Sequence, residues 1–137
     1  SNGVWIAWQV LNSSTASGVI SYNVISSTPF NTTSTTDVII TSFLVTPQAG
    51  TYGVWFSADA NLSANNSIGQ YVVYKNGVAV ADSRRQVQGS SSNFKTQLNI
   101  LTIFQVTGAE QVDVRVNITS GTFTVNQRSL LLIRLGA

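Results

Sequence analysis

Histidine and cysteine are both absent from this chain of 137 residues. The commonest general base and the thiol nucleophile are therefore missing. Serine and threonine are plentiful, but a Ser–Lys pair would need Lys75 or Lys95 buried beside one of them. A glycosidase needs two carboxylates facing each other across a cleft. Asp37, Asp59, Asp82, Glu110 and Asp113 are the acids on offer, and each falls at a strand end or on a polar face. A solvated charge is the plainer reading of all five, and the expectation is a protein without catalytic residues. Asp59 beside Asn61, Asn65 and Asn66 offers oxygen ligands of the kind a calcium ion takes. The same residue types also stabilise the turns of a loop, and no other cofactor is expected. Arg84 and Arg85 could contact an anionic partner or stand solvated on their loop. Trp55 sits on the opposite strand face from Tyr52 and Phe56, which makes it a candidate for stacking on a ligand.

Only 9% of the chain is charged and 43% is hydrophobic, with a net charge of +2. Ser, Thr and Asn fill the gap, at about a third of the chain, and they favour turns and extended backbone over helix. Without clustered Lys and Arg, nucleic acid is not an expected partner. The longest apolar run, Leu130 to Ile133, is far too short for a membrane span, so insertion is not expected. The length suits one domain over residues 1–137 with a sizeable core. No disulfide or zinc–thiolate site can form without cysteine. The absence of methionine suggests a processed or partial product, with a stalk or signal ahead of Ser1.

Alternating apolar runs follow one another at strand length, with no helical periodicity. Strands are expected over Val4–Leu11, Gly18–Ile25, Asp37–Thr46, Thr51–Ala60, Phe94–Val106, Gln111–Ile118 and Arg128–Leu135. Asn76-Gly77 between two apolar runs predicts a type I′ hairpin pairing Lys75 with Val78, Val73 with Val80 and Tyr71 with Asp82. Pro47 and Gly50 turn the chain between two of the strands. Tyr52, Val54 and Phe56 recur at spacing two and share one face. About eight to ten strands separated by polar turns make an all-β antiparallel sandwich. Five Asn-x-Ser/Thr sequons, at Asn12, Asn31, Asn61, Asn65 and Asn117, would be glycan acceptors in a eukaryotic secreted protein and unused in a viral or bacterial one.

Three motifs carry a resemblance. Gly50-Thr51-Tyr52-Gly53-Val54-Trp55-Phe56 resembles the G-x-Y-x-F-x-F/Y strand opening of the C1q/TNF-like jelly rolls, with Leu44 in place of the upstream aromatic and Phe43 beside it. Val72-Val73-Tyr74-Lys75-Asn76-Gly77 is similar to their strand ending in K-N-G. Gly108 followed by Val112-Asp113-Val114-Arg115-Val116 resembles their G-D-x-V-x-V strand, with one extra residue. The last strand, Ser129-Leu130-Leu131-Leu132-Ile133, departs from their F-x-G-F pattern. The resemblance implies an antiparallel jelly roll of 8–10 strands, with Leu44, Gly50, Tyr52, Val54 and Phe56 as core motif, and a compact homotrimer around a hydrophobic axis.

The sequence supplies surplus apolar residues for such an axis. Strands that are apolar on both faces do not fit a lone sandwich with one wet side. Trp5, Trp8, Phe104, Leu131, Ile133 and Leu135 are the expected trimer interface; the alternative is that loops of the same chain cover the surplus, or that the strand register differs. The expected function is that of a head at the tip of a fibre or surface protein, extracellular or on a virion. It would bind a cell-surface receptor or glycan. A capsid or decoration jelly roll, and a secreted C1q-like ligand or pattern-recognition module, are the alternatives.

Overall fold

The computed structural model describes residues 19–137, so Trp5, Trp8 and the strand expected over Val4–Leu11 lie outside the described residues. Ten strands follow in order: β1 (Ser21–Ser26), β2 (Phe30–Thr32), β3 (Val38–Val45), β4 (Gly50–Leu62), β5 (Ile68–Lys75), β6 (Val78–Ala79), β7 (Arg85–Gln88), β8 (Phe94–Val106), β9 (Val112–Ile118) and β10 (Phe123–Gly136). They form two five-stranded antiparallel sheets. One runs β1-β10-β4-β8, with β2 also on β10; the other runs β3-β9-β5-β6, with β7 also on β5. The two sheets face each other as a jelly-roll β-sandwich.

The core lies between them and follows from the period-two side-chain alternation. Along β4, Tyr52, Val54, Phe56, Ala58, Ala60 and Leu62 point inward and are buried. Val112, Val114, Val116 and Ile118 do the same from β9. Phe43 meets Phe56 edge to face at 5.9 Å, and Tyr71 meets Phe56 at 6.4 Å, near the favoured geometry of aromatic pairs.

The Pro47–Gly50 stretch does not close a hairpin, because β3 and β4 lie in different sheets. It carries the chain across the sandwich edge and is tied down by two tyrosines. The Gln48 amide donates to Tyr22 Oη at 2.9 Å, and Tyr52 Oη donates to the Gln48 carbonyl at 3.0 Å. Burial, with Tyr22 alongside, pushes the Tyr52 phenol up to about 12. A Cβ on Gly50 would stand 2.5 Å from Arg134 Nε and 2.9 Å from the Gly136 carbonyl oxygen, so β10 can pass only a glycine there.

Leu44 is not part of the core, where the sequence reading placed it. The β3–β9 register breaks between Ile39 and Leu44, and Ser42 takes φ 63° in the break. That irregularity turns Phe43 fully inward and leaves Leu44 41% exposed, so Phe43 fills the upstream aromatic position. The hairpin turn is as expected, with Asn76 at φ 52° and Gly77 at φ 77° and Lys75 opposite Val78. Its register is lost beyond Val80. Asp82 takes φ 65°, and Ser83 is buried, its hydroxyl donating to the Val80 carbonyl at 2.9 Å. This loop shifts the returning strand, and Tyr71 pairs with Arg85 rather than Asp82. The final strand begins at Phe123, earlier than Arg128, with a bulge between Val125 and Arg128.

Truncating Phe43 to Ala removes a buried aromatic and is expected to cost about 3–5 kcal/mol in denaturant unfolding, against less than about 1 kcal/mol for Leu44→Ala. Equal losses at the two positions would contradict this placement of the bulge.

Candidate interface on the outer face of the β10–β4–β8 sheet

The alternation that buries Tyr52 and Phe56 sends Gly53, Trp55, Ser57 and Asp59 to the outer face of β4. The ladders fix their neighbours. Trp55 lies between Leu131 on β10 and Leu101 on β8, and Gly53 lies between Ile133 and Ile103. Six large apolar side chains thereby meet in the middle of a sheet. Trp55 is 40% exposed, Leu101 54%, Ile103 61% and Leu135 57%, while Leu131 and Ile133 are half-buried. Gly53 makes the field flat: a Cβ there would stand 3.0 Å from the Trp55 ring, and Leu135 is next in line at 3.7 Å. The indole lies across the glycine as a lid. A contiguous apolar field of this kind marks an interaction surface.

The sequence placed Leu131, Ile133 and Leu135 in the interface, and the structure brings all three to this face. Phe104 is elsewhere. It pairs with the inward-facing Tyr52 and packs at the rim of the core, with Lys75 Nζ 5.9 Å from its ring. The β8 residues on the outer face are Leu101 and Ile103, one step out of phase with Phe104. Sequence reasoning missed both, although the alternation Leu98-Ile100 against Leu101-Ile103 carried the signal. Trp55, read as a ligand contact, is the centre of the field.

Beyond Ser57 the same face turns polar. Asp59, Asn61, Lys95, Gln97, Asn126 and Gln127 line a shallow groove of about 520 Å³. Asn61 is held by its neighbours there, donating to Asn93 Oδ1 at 3.4 Å and accepting from Asn126 Nδ2 at 3.1 Å. Among the described residues no three of His, Cys, Asp and Glu gather in a cluster that could hold a metal. Asn66 takes φ 64° in the loop after β4, a turn role that asparagine tolerates.

The other sheet presents a different outer face. Asp37 accepts from Arg84 Nη2 at 2.6 Å and Nη1 at 3.1 Å, from Tyr74 Oη at 2.6 Å and from Asn117 Nδ2 at 2.6 Å. The Arg84 hydrogen bond, helped by Tyr74 and Asn117, holds the Asp37 carboxyl well below the usual carboxylate range despite its burial. Fully buried Asp113 accepts from Arg115 Nε at 2.8 Å and from Gln111 Nε2 at 2.9 Å. The Arg115 guanidinium stacks 4.0 Å from the Tyr74 ring, a cation–π contact. Arg84 is thus a structural ion pair, and Arg85 donates to the carbonyls of its own loop at Asp82 and Arg84. The Asn117 amide that a glycan would need is spent on Asp37.

With both faces described, the strand order and the comparisons agree. The fold is an antiparallel jelly-roll β-sandwich. Among solved structures, "Structure of Eiger TNF from S. frugiperda" superposes with a TM-score of 0.56 at 11% identity, covering 86% of this chain and 93% of that one. "Structure of infectious bursal disease virus Gx strain" superposes with a TM-score of 0.59 at 10% identity, covering 84% of this chain and 32% of the viral one. This chain therefore spans about a third of that viral chain. No protein-family model matches this chain, and no curated protein matches it either.

A carboxyl that titrates lower in the folded jelly roll than in the unfolded chain stabilises above its unfolded value, about 4. That stabilisation fades as pH falls from there toward the folded value. Asp37→Asn is expected to lower Tm by several degrees at pH 7, with the gap to wild type closing as pH drops below about 4. Melting curves at pH 7, 4 and 2 check this, and a gap constant with pH would contradict it.

Proposed function

We propose that this jelly roll is a non-catalytic head domain that assembles with two further copies through the outer face of β10, β4 and β8. The apolar field around Trp55 carries the reading. It runs across β10, β4 and the edge strand β8, stays exposed among the described residues, and is flattened by Gly53. The trimer implied by the C1q/TNF resemblance gives this face a partner, namely the same face of neighbouring copies about a three-fold axis. Assembly would clamp three chains in register and present the loops between strands for attachment to a cell-surface receptor or glycan. The setting would be extracellular, or the surface of a virion or cell. The polar outer face of the other sheet, with Asp37 and Asp113 satisfied internally, suits the solvent side of such a head. The superposition on a viral structure supports a second reading, a capsid or decoration jelly roll whose partners are its neighbours in a lattice.

Light scattering behind size exclusion tests the assembly. The wild type is expected at three times the chain mass of 14.7 kDa. Leu131→Arg with Ile133→Arg is expected to run at a single chain mass while keeping its β-sheet circular dichroism. Buried like charges facing each other across an axis cannot be paired or solvated there. A monomeric wild type would remove the trimer, and open-ended assembly with no binding to cells or glycans would favour the lattice reading.

A further inference from the structure

Arg128 occupies an inward-facing position of β10, in line with Val125 and Leu130, where the core calls for an apolar side chain. It is only 7% exposed. The ladder places small Ala58 opposite it and Ser26 on its other side, which leaves room for a guanidinium between the sheets. The group lies 5.3 Å from the Phe43 ring. Nη1 donates to the carbonyls of Thr28 at 2.7 Å, Asn126 at 2.8 Å and Val125 at 3.1 Å, while Nε is buried with no partner. No carboxylate answers the charge. The two ion pairs among the described residues are Arg84–Asp37 and Arg115–Asp113, and residues 1–18 contain no Asp or Glu. Burial without a counter-ion pulls the guanidinium below its ordinary value. A buried cation left unpaired is costly to a fold, and carbonyl dipoles compensate it only in part.

The same side chain lines a cleft of about 340 Å³ at the seam where β1 and β2 of one sheet meet β3 of the other. Ser26, Thr28, Pro29, Phe30, Thr41 and Ser42 complete its walls. Two irregularities converge there, the β10 bulge that delivers Arg128 and the β3 register break that holds Thr41 and Ser42. Ser42 keeps φ 63°, a strained backbone of the sort found at ligand sites. Hydroxyls, an apolar wall of Pro29 and Phe30, and a guanidinium without a carboxylate make a definite chemical set. Guanidinium is the side chain best matched to a carboxylate. The volume is that of a small-ligand pocket.

We propose that this cleft binds the carboxylate of an acidic sugar, with Arg128 taking the carboxylate, the hydroxyl-bearing residues the ring hydroxyls, and Pro29 and Phe30 the apolar face of the ring. The inference rests on the attachment reading above and gives it a ligand class and a place.

The test is a titration followed by ¹H–¹⁵N spectra, with glucuronate as probe, glucose as neutral control and acetate as bare carboxylate. Glucuronate is expected to give saturable shifts at the amides of Thr28, Thr41 and Ser42, with glucose silent and acetate at least about tenfold weaker. Nη1 is spent on three carbonyls and Nε is buried, which leaves Nη2 as the donor a ligand meets. Arg128→Lys keeps the charge but removes that donor, and is expected to weaken binding about tenfold. Ser42→Asp avoids any doubt about folding, because aspartate tolerates this backbone. It places a competing carboxylate in the cleft and is expected to abolish the shifts. Glucose binding as well as glucuronate, acetate binding as tightly, or Ser42→Asp binding unchanged would each overturn the proposal. A panel of immobilised glycans separates it from the broader reading. Binding confined to neutral glycans would overturn the acidic-sugar cleft and leave attachment standing, whereas cleft binding of glucuronate with no retention of glycans or cells would overturn attachment by this head.

Discussion

The two-residue period of β4 governs this molecule. The strand lies between β10 and β8 in the ladder, so whatever it sends inward must fill the sandwich and whatever it sends outward must meet something else. Inward go Tyr52, Val54 and Phe56, and the core assembles on them. Outward go Gly53 and Trp55, and the neighbours chosen by the register are again apolar. A one-residue slip would exchange the two sets. The core and the candidate interface are therefore specified by the same hydrogen-bond register and are not independent features.

The opposite sheet shows what a water-facing side of this fold looks like. Its outer residues include Gln70, Tyr74, Arg84, Arg115 and Asn117, joined through Asp37 and Asp113 in a web of hydrogen bonds. Each acid there is matched by an arginine held in place by a second contact. The contrast sharpens the reading of Arg128, which has the burial of Asp113 but lacks an opposing charge. A chain so sparing with charged residues has placed one of its seven cations where the fold alone gives it incomplete company.

Much of this was legible in the residues. The alternation from Tyr52 to Phe56, the Asn76-Gly77 turn and the long strand Phe94–Val106 are local signals, and the structure follows them. The misreadings have different causes. Leu44 was placed by the resemblance, across a stretch where the backbone departs from the ladder; the Tyr71 pairing came from counting in twos across another such stretch; Phe104 was taken as interface without fixing its phase. Ser42 and Asp82, both non-glycine residues at positive φ, carry no sequence mark that announces a bulge, because serine is common throughout the chain and aspartate serves equally in ordinary turns. The Asp37 web was hidden for another reason. Its members come from residues 37, 70, 74, 84 and 117, and only the topology brings them together. Arg128 is one of two arginines in the last described strand, and the small Ala58 opposite it appears only once the ladder is known.

The position of β10 has a consequence for how the molecule comes into being. This strand, the last in the chain, lies between β1 and β4 and also pairs with β2. Among the described residues, β1 and β2 have no strand partner without residues 123–136, and β4 then has β8 alone. The β4–β8 pair, thirteen rungs long, is the longest ladder that does not need β10. Contacts so distant in sequence fold slowly, and a half-made sheet with open edges is prone to pair with its like. Without β10 in place, the edge of β4 lies open to a neighbouring copy as well as to the chain's own strand.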